Sequence, residues 1–267
     1  MCNESAAQRR YLAGLRRRKR GIAAARWGIL AVFLLLWEAL ARLGVIDAFL
    51  LSSPSRMAGT LWTLARTGEL WLHVGVTLWE TVVGFVVGSL LGIGLAVALW
   101  WSDTLCRVLD PYLVVLNALP KIALGPVIII VVGAGTEAII FMALAISLIV
   151  TVLEMLAGFR ATNPESIKMA RTFGATKRQV FTKIVFPSNI NTLFNSLKIN
   201  IGLSLVGVIA GEFLVSKAGL GYLIVYGGQV FQLDLVMSSV LILSVMAALM
   251  YQSVVLLQKF VSRWFGG

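Results

Sequence analysis

Long apolar runs recur along the whole chain, near residues 22–44, 75–101, 111–133, 137–158, 190–213 and 236–258. Each is long enough to cross a bilayer, for which a helix needs about 20 residues. Lipid offers the backbone no hydrogen-bond partner, so a spanning segment must be a helix or part of a closed barrel. Ten-residue strands alternating apolar and polar side chains, the barrel signature, are absent. The expectation is an all-α polytopic membrane protein with about six transmembrane helices. Composition agrees: charged residues are 13% of the chain and mean hydropathy is +0.90, against about 25% charged residues in a soluble domain.

A net charge of +11 raises the possibility of nucleic acid, but its distribution argues for topology. Arg9, Arg10, Arg16, Arg17, Arg18, Lys19, Arg20 and Arg26 crowd the chain ahead of or just inside the first apolar run. Arg160, Lys168, Arg171, Lys177, Arg178 and Lys183 form a second cluster, and Lys259 and Arg263 a third. Loops elsewhere are poor in Lys and Arg. That asymmetry places both termini and the second cluster in the cytoplasm, with membrane lipid rather than nucleic acid facing the cations. The organisation expected is a basic cytoplasmic tail over residues 1–21, disordered or interfacial, and a transmembrane domain over 22–267. The first apolar run lacks a small-residue cleavage site and reads as a retained anchor. Cys2 and Cys106 are far apart and indicate neither a disulfide framework nor a metal site.

Within the spans, several residues break the apolar pattern. Gly84, Gly88 and Gly92 share one helix face and allow close backbone approach, either to a helix of the same chain or to another subunit. Pro120 and Pro126 interrupt the third span, and a broken helix is tolerated at membrane depth only where protein or a water-filled path covers the gap. Lys121 sits between them and either meets an anionic solute or pairs with an acid inside a hydrated kink. Glu212, near the outer end of the fifth span, joins Pro120, Lys121 and Pro126 as a candidate for the translocation path. Ser55 is placed to cap a short interfacial helix ending near Thr67, and the Gly-rich segment 216–234 to dip into the membrane from outside.

Residues 163–187 differ in kind, forming a polar, basic island in a membrane chain. Asn163 can cap a helix that Pro164 begins and Glu165 favours through the dipole. Ile167, Met169, Ala170 and Phe173 form an apolar side, and Gly174 is placed to end the helix in a left-handed conformation. Thr176 and Gln179 match a capping box for a second helix, lined by Val180, Phe181, Ile184 and Val185 and ended by Pro187. An amphipathic hairpin held outside the membrane is offered to a soluble partner.

This hairpin resembles the cytoplasmic signature of type I permease subunits of ATP-binding-cassette importers: Glu-Ala-Ala, three residues, Gly, nine residues, Ile-x-Leu-Pro. Glu165 stands for the acid, with Ser166 and Ile167 in place of the alanines; Gly174, Ile184 and Pro187 follow, with Phe186 in place of leucine. The resemblance covers about residues 60–265, and the Pro120–Pro126 segment with Ala218-Gly219-Leu220-Gly221-Tyr222-Leu223 is similar to the nitrate/sulfonate/taurine branch. It implies that Glu165, Ser166, Ala170, Arg171, Thr172, Phe173, Gly174, Ala175 and Thr176 belong to a coupling helix that docks on an ATPase. It also implies two ATPase subunits carrying ATP and Mg, a second and identical permease, an extracytoplasmic solute-binding protein, and residence in a bacterial inner membrane. The solute implied is small, a sulfonate- or nitrate-like anion or a heterocyclic nutrient.

The chain itself carries no Gly-x4-Gly-Lys-Ser/Thr loop for nucleotide phosphates. No Ser/His/Asp set or metal cluster is visible, and the single histidine, His73, reads as an interfacial polar residue. Catalysis by this chain is not expected, nor a cofactor or metal bound to it. The alternative is an ATP-independent channel or ion-coupled carrier.

Overall fold

The computed structural model describes residues 6–45 and 47–265, and the described residues form helices and turns without strands. The chain opens with α1 (Ala6–Arg42), a one-turn α2 (Ala48–Leu51) and α3 (Pro54–Thr67). Residues 6–21, expected to be disordered or interfacial, continue the first helix, because no proline or cap residue stops it before the apolar run. Glu38 ties it to the start of α3, its carboxylate accepting from the Ser55 N–H at 3.1 Å and the Ser55 hydroxyl at 2.8 Å, and also accepts from Arg42 Nε of α1 itself at 2.7 Å. Ser53, not Ser55, caps α3 and accepts from the Arg56 N–H, because Pro54 already occupies the first turn and leaves its predecessor as the cap.

The centre is a three-helix stack. In α4 (Glu69–Trp101), Gly84 and Gly92 face the Cβ atoms of Ala143 and Thr151 in α7 (Thr136–Arg160), and a Cβ built on either glycine would fall 2.7 Å and 2.5 Å from them. Gly88 opposes Ser147 in the same way. The pairs advance together along both helices, so α4 and α7 run parallel. On the other side of α7, α11 (Ile190–Val215) runs antiparallel: Gly207 lies against the backbone of Ala143 and Gly211 against that of Ile139. With no driving force between helices in lipid beyond packing and polar contacts, such close approach is the main attraction available. Asn200 adds polar contacts to Ser89 and Thr151, knitting all three helices.

Parallel packing settles the segment between α4 and α7. α5 (Asp103–Ala118) and α6 (Gly125–Val132) are joined by a 3-10 turn over Lys121–Leu124 and bent by 88°. Because α4 and α7 point the same way, this bent pair must return the chain across the membrane and counts as one span. With α1, α4, α7, α11 and the last long helix it makes six, within the five or six that length and composition allow. The break falls at Pro120, which caps the 3-10 turn. Pro126 was expected to interrupt the span as well; it instead occupies the first turn of α6, where its missing N–H costs nothing. Pro111 lies inside α5 without ending it.

Beyond α7 come α8 (Pro164–Thr172), α9 (Lys177–Val180), a π turn over Phe181–Val185, and α10 (Phe186–Ser188). Pro187 does not end this helical run, as the sequence leads one to expect. The π turn, closed by the Phe186 N–H to the Phe181 carbonyl, shifts the hydrogen-bond ladder just ahead of the proline, and the break falls at Asn189. After α11, the Gly-rich segment forms α12 (Leu220–Gln229), which packs on α4, α11 and α13 (Leu233–Phe265). Asp234 of α13 accepts from the Ser52 hydroxyl at 2.7 Å and from Arg56 at 2.7 and 3.1 Å, fastening α13 to the start of α3.

Candidate functional site

The hairpin after α7 is built by its caps. Asn163 accepts from the Glu165 N–H at 2.9 Å and starts α8. At its end Gly174 has φ +78, a conformation open to glycine at no steric cost. The Ala175 N–H reaches the Ala170 carbonyl at 3.0 Å and the Gly174 N–H the Arg171 carbonyl at 2.9 Å. These two bonds are the paired closure of a Schellman turn. Thr176 and Gln179 then exchange hydrogen bonds, with the Thr176 N–H donating at 2.8 Å and the Gln179 N–H at 3.3 Å, a complete capping box for α9.

One side of the hairpin is bound inward. Val180, Phe181 and Val185 are buried with Leu99 and Cys106, and with Val152, Met155 and Phe159 of α7, while Ile167, Ala170 and Ala175 pack against that cluster. The other side is open. The expected apolar stripe divides: Ile167 and Ala170 turn in, whereas Met169 is 60% and Phe173 84% exposed. Glu165, Arg171, Thr172, Gly174 and Thr176 are also exposed, with Ser166 half-buried. A shallow hollow bounded by Ala170, Phe173, Gly174, Gln179, Lys183 and Ile184 lies on this face.

Alignment of Glu165 with the acid of the permease signature needs correcting. Three residues before Gly174 is the spacing the signature demands, and that places Lys168, Met169 and Ala170 at the Glu-Ala-Ala positions. Ala170 alone keeps the residue, at the spot where the helix packs against the core. Glu165 belongs to the first turn of α8, beside its cap.

A family model described as "Binding-protein-dependent transport system inner membrane component" matches residues 88–267, most of the chain and the whole hairpin. The chain belongs to this family. It is a multi-pass membrane protein and the permease subunit of an ABC importer. A "Probable ABC transporter permease protein" of Haemophilus influenzae is 30% identical over 226 residues, covering 85% of this chain and 91% of its own length. The "Taurine transport system permease protein TauC" of Escherichia coli is 27% identical over 245 residues, covering 90% and 89%. A solved structure of the MetNI methionine ABC transporter, in inward-facing form, matches with TM-score 0.64 at 19% identity, over 76% of this chain and 98% of that one, and shows the same fold. The alternative of an ATP-independent channel or carrier yields to these findings.

The permease keeps a second polar assembly at the opposite end of its spans, one that sequence reasoning found only in part. Glu212 is buried, accepting from the Thr77 hydroxyl at 2.6 Å and from the Gly221 N–H. Thr77 Oγ1 also accepts from the Leu220 N–H at 2.8 Å, and His73 Nδ1 from the Gly219 N–H at 2.9 Å. His73 is thus buried and stacked on Tyr222, 6.0 Å between ring centroids, rather than an interfacial side chain. Glu80, also fully buried, lies beside Glu212 and Thr136. An acid within an apolar run was the available signal for Glu80. The structure does not bring Glu212 to the other path candidates: its carboxylate faces α4 and the start of α12, satisfying the backbone of that turn.

Pro120, Lys121 and Pro126 stay together at the bend between α5 and α6. Lys121 Nζ donates to the Asn117 carbonyl at 3.0 Å, supplying a partner to a carbonyl at the end of α5. Ile122 and Pro126 border an apolar groove of about 850 Å³, completed by Gly202, Ile209 and Phe213 of α11 and Leu243 of α13. Among the described residues, no three His, Cys, Asp or Glu side chains converge on a point where they could hold a metal ion.

Proposed function

We propose that this permease works as one of an identical pair, with an ATPase docked on each hairpin and an extracytoplasmic solute-binding protein on the opposite face. ATP and Mg belong to the ATPases. Nucleotide binding draws the hairpins together and opens the path outward, and hydrolysis resets it, the alternating access of a two-state machine. In this reading the hairpin and both termini lie in the cytoplasm of a bacterial cell, and the clustering of Lys and Arg in those segments supports that orientation. One observation carries the docking assignment. Met169 and Phe173 stand 60% and 84% exposed on the tip of a polar hairpin whose shape two caps and a left-handed glycine over-determine. A rigid element that presents large apolar side chains to water is built to bury them in a partner. Lys168, Arg171 and Arg178 flank them, exposed, so the matching groove is apolar with an acidic rim.

The bend at Pro120–Pro126 with Lys121 is our assignment for the translocation path, and the solute is a small anion of sulfonate or nitrate type or a heterocyclic nutrient. The taurine permease relative and the cation at Lys121 favour the anion. Glu212 is omitted from the path, because its carboxylate is engaged elsewhere.

The docking assignment is tested by co-expressing the permease with its ATPase. Gly174→Val is expected to insert in the membrane yet to lose the ATPase on purification, because a branched side chain strains the turn and stands at the docking face. Gly174→Asn, which tolerates the left-handed conformation, is expected to keep it. Full solute-stimulated hydrolysis with Gly174→Val removes the hairpin from the docking site.

A further inference from the structure

The second arm of the hairpin is fastened to the end of α4 by contacts that its docking role does not require. Lys177, the first residue of α9, donates from Nζ to the Trp101 carbonyl at 2.7 Å and stands 5.5 Å from the ring centroid of Trp100. A carbonyl in the last turn of a helix lacks an intrahelical partner and lies at the negative end of the dipole. An indole face attracts a cation as well. Behind Lys177, the Phe181 ring lies 4.9 Å from Trp100, 6.2 Å from Trp101, 5.4 Å from Phe159 of α7 and 6.0 Å from Phe186. Phe181 also begins the π turn. Such turns are rare, and they are over-represented where a helix does something besides pack.

The same helix is fastened at its other end. His73 and Thr77 hold the N–H groups of Gly219 and Leu220, where the chain turns from α11 into α12. Between His73 and Trp100, α4 is one uninterrupted helix without proline, about 40 Å long at ~1.5 Å per residue. Its glycine face locks it against α7. A continuous helix clamped at both ends and seated on a close-packed neighbour transmits displacement along its axis, because packed interfaces shift as units rather than deform.

We infer that Trp100 is a positioning residue that makes α4 move with the hairpin, and that α4 carries this motion to the α11–α12 turn on the opposite face. The inference rests on the hairpin being the ATPase-docking element. It adds that the signal reaches the outer turn through α4 and that the Trp100–Lys177–Phe181 contact is its point of entry. Trp100 itself is on α4, outside the exposed face of the hairpin, so its substitution separates transmission from docking.

The experiment uses the permease–ATPase complex in lipid nanodiscs, with Cys2→Ser and Cys106→Ala and a reporter cysteine, Tyr226→Cys, on the partly exposed face of α12. Labelling by a charged maleimide is timed with and without a non-hydrolysable ATP analogue and Mg. In the complex with Trp100 intact, nucleotide is expected to change the labelling rate. With Trp100→Leu the ATPase is expected to stay bound and to hydrolyse ATP, while the nucleotide dependence of labelling is lost. Trp100→Phe, which keeps a ring against Phe181, is expected to restore it. Retained nucleotide dependence in Trp100→Leu overturns the inference. So does loss of the ATPase from that variant, which would make Trp100 part of docking, or failure of Trp100→Phe to rescue. If the complex with Trp100 intact binds no ATPase or shows no nucleotide dependence, the docking assignment itself fails and the inference falls with it.

Discussion

The α4–α7 seam and the α8–α9 turn both depend on glycine, for opposite reasons. In the seam, Gly84, Gly88 and Gly92 have ordinary helical backbones, and what matters is the missing side chain, since a Cβ at any of them would collide with α7. At Gly174 the surroundings are empty, nothing lying within 4 Å of a built Cβ, and what matters is the φ of +78. The first need is spatial and belongs to a pair of helices; the second is conformational and belongs to one residue. Substitutions that add volume without changing backbone preference, or the reverse, should therefore separate the two regions.

The largest effect is expected at the seam. Gly92→Ala should cost about 1–3 kcal/mol, the usual range for overpacking a tight site, and Gly92→Leu should prevent a stable fold. Gly94→Ala, on the same helix with open space around it, should leave the melting temperature in detergent unchanged or slightly raised, since alanine is the better helix former. Equal melting temperatures for Gly92→Ala and Gly94→Ala would break the contrast.

Next comes the polar end of the same helix. Thr77→Val removes the donor to Glu212 and the acceptor for the Leu220 N–H. Leaving buried polar groups unpaired costs about 1–3 kcal/mol each. Hydrogen exchange over residues 216–222 should accelerate, while exchange in the hairpin stays as it was. Uniform acceleration through the chain would show that this end is not a local assembly.

At Gly174 the stability effect should be smaller. A non-glycine residue in the left-handed region costs about 1–2 kcal/mol, and asparagine less. The melting temperatures of Gly174→Asn and Gly174→Val should thus lie close together while their ATPase binding differs sharply. A large drop in melting temperature for both would place the turn with the seam as a packing site.

The smallest effect is expected at Lys121. Its hydrogen bond to the Asn117 carbonyl is at a partly exposed side chain, worth about 0.5–1.5 kcal/mol. Lys121→Ala should therefore alter uptake more than assembly. Unchanged uptake at low and saturating solute would remove this side chain from the path.

Much of this was legible because membrane insertion makes local rules strict. The spans, the capping of the hairpin by Asn163, Gly174, Thr176 and Gln179, and the close-packing face of α4 all follow from residues a few positions apart, where one helix period or one cap decides the outcome. The family likeness was legible in the spacing of Gly174, Ile184 and Pro187. Local rules did less well at the prolines. Pro126 starts a helix and Pro187 is carried through one, because each outcome depends on which hydrogen bonds the preceding turn leaves unused.

By itself, then, the sequence determined that this chain crosses a membrane as helices, keeps a rigid basic hairpin outside it and needs glycine at set positions. These depend on hydropathy, periodicity and backbone preference, which act over one or two turns. Only the tertiary structure decided that α4 and α7 run parallel, which makes the bent α5–α6 pair a crossing. It alone placed Glu212 on Thr77 of α4, His73 on the backbone of the α11–α12 turn, and Lys177 on the end of α4. Those contacts join residues separated by 76 to 146 positions, and at such separations the partner of a side chain is set by how whole helices pack, which no local pattern encodes.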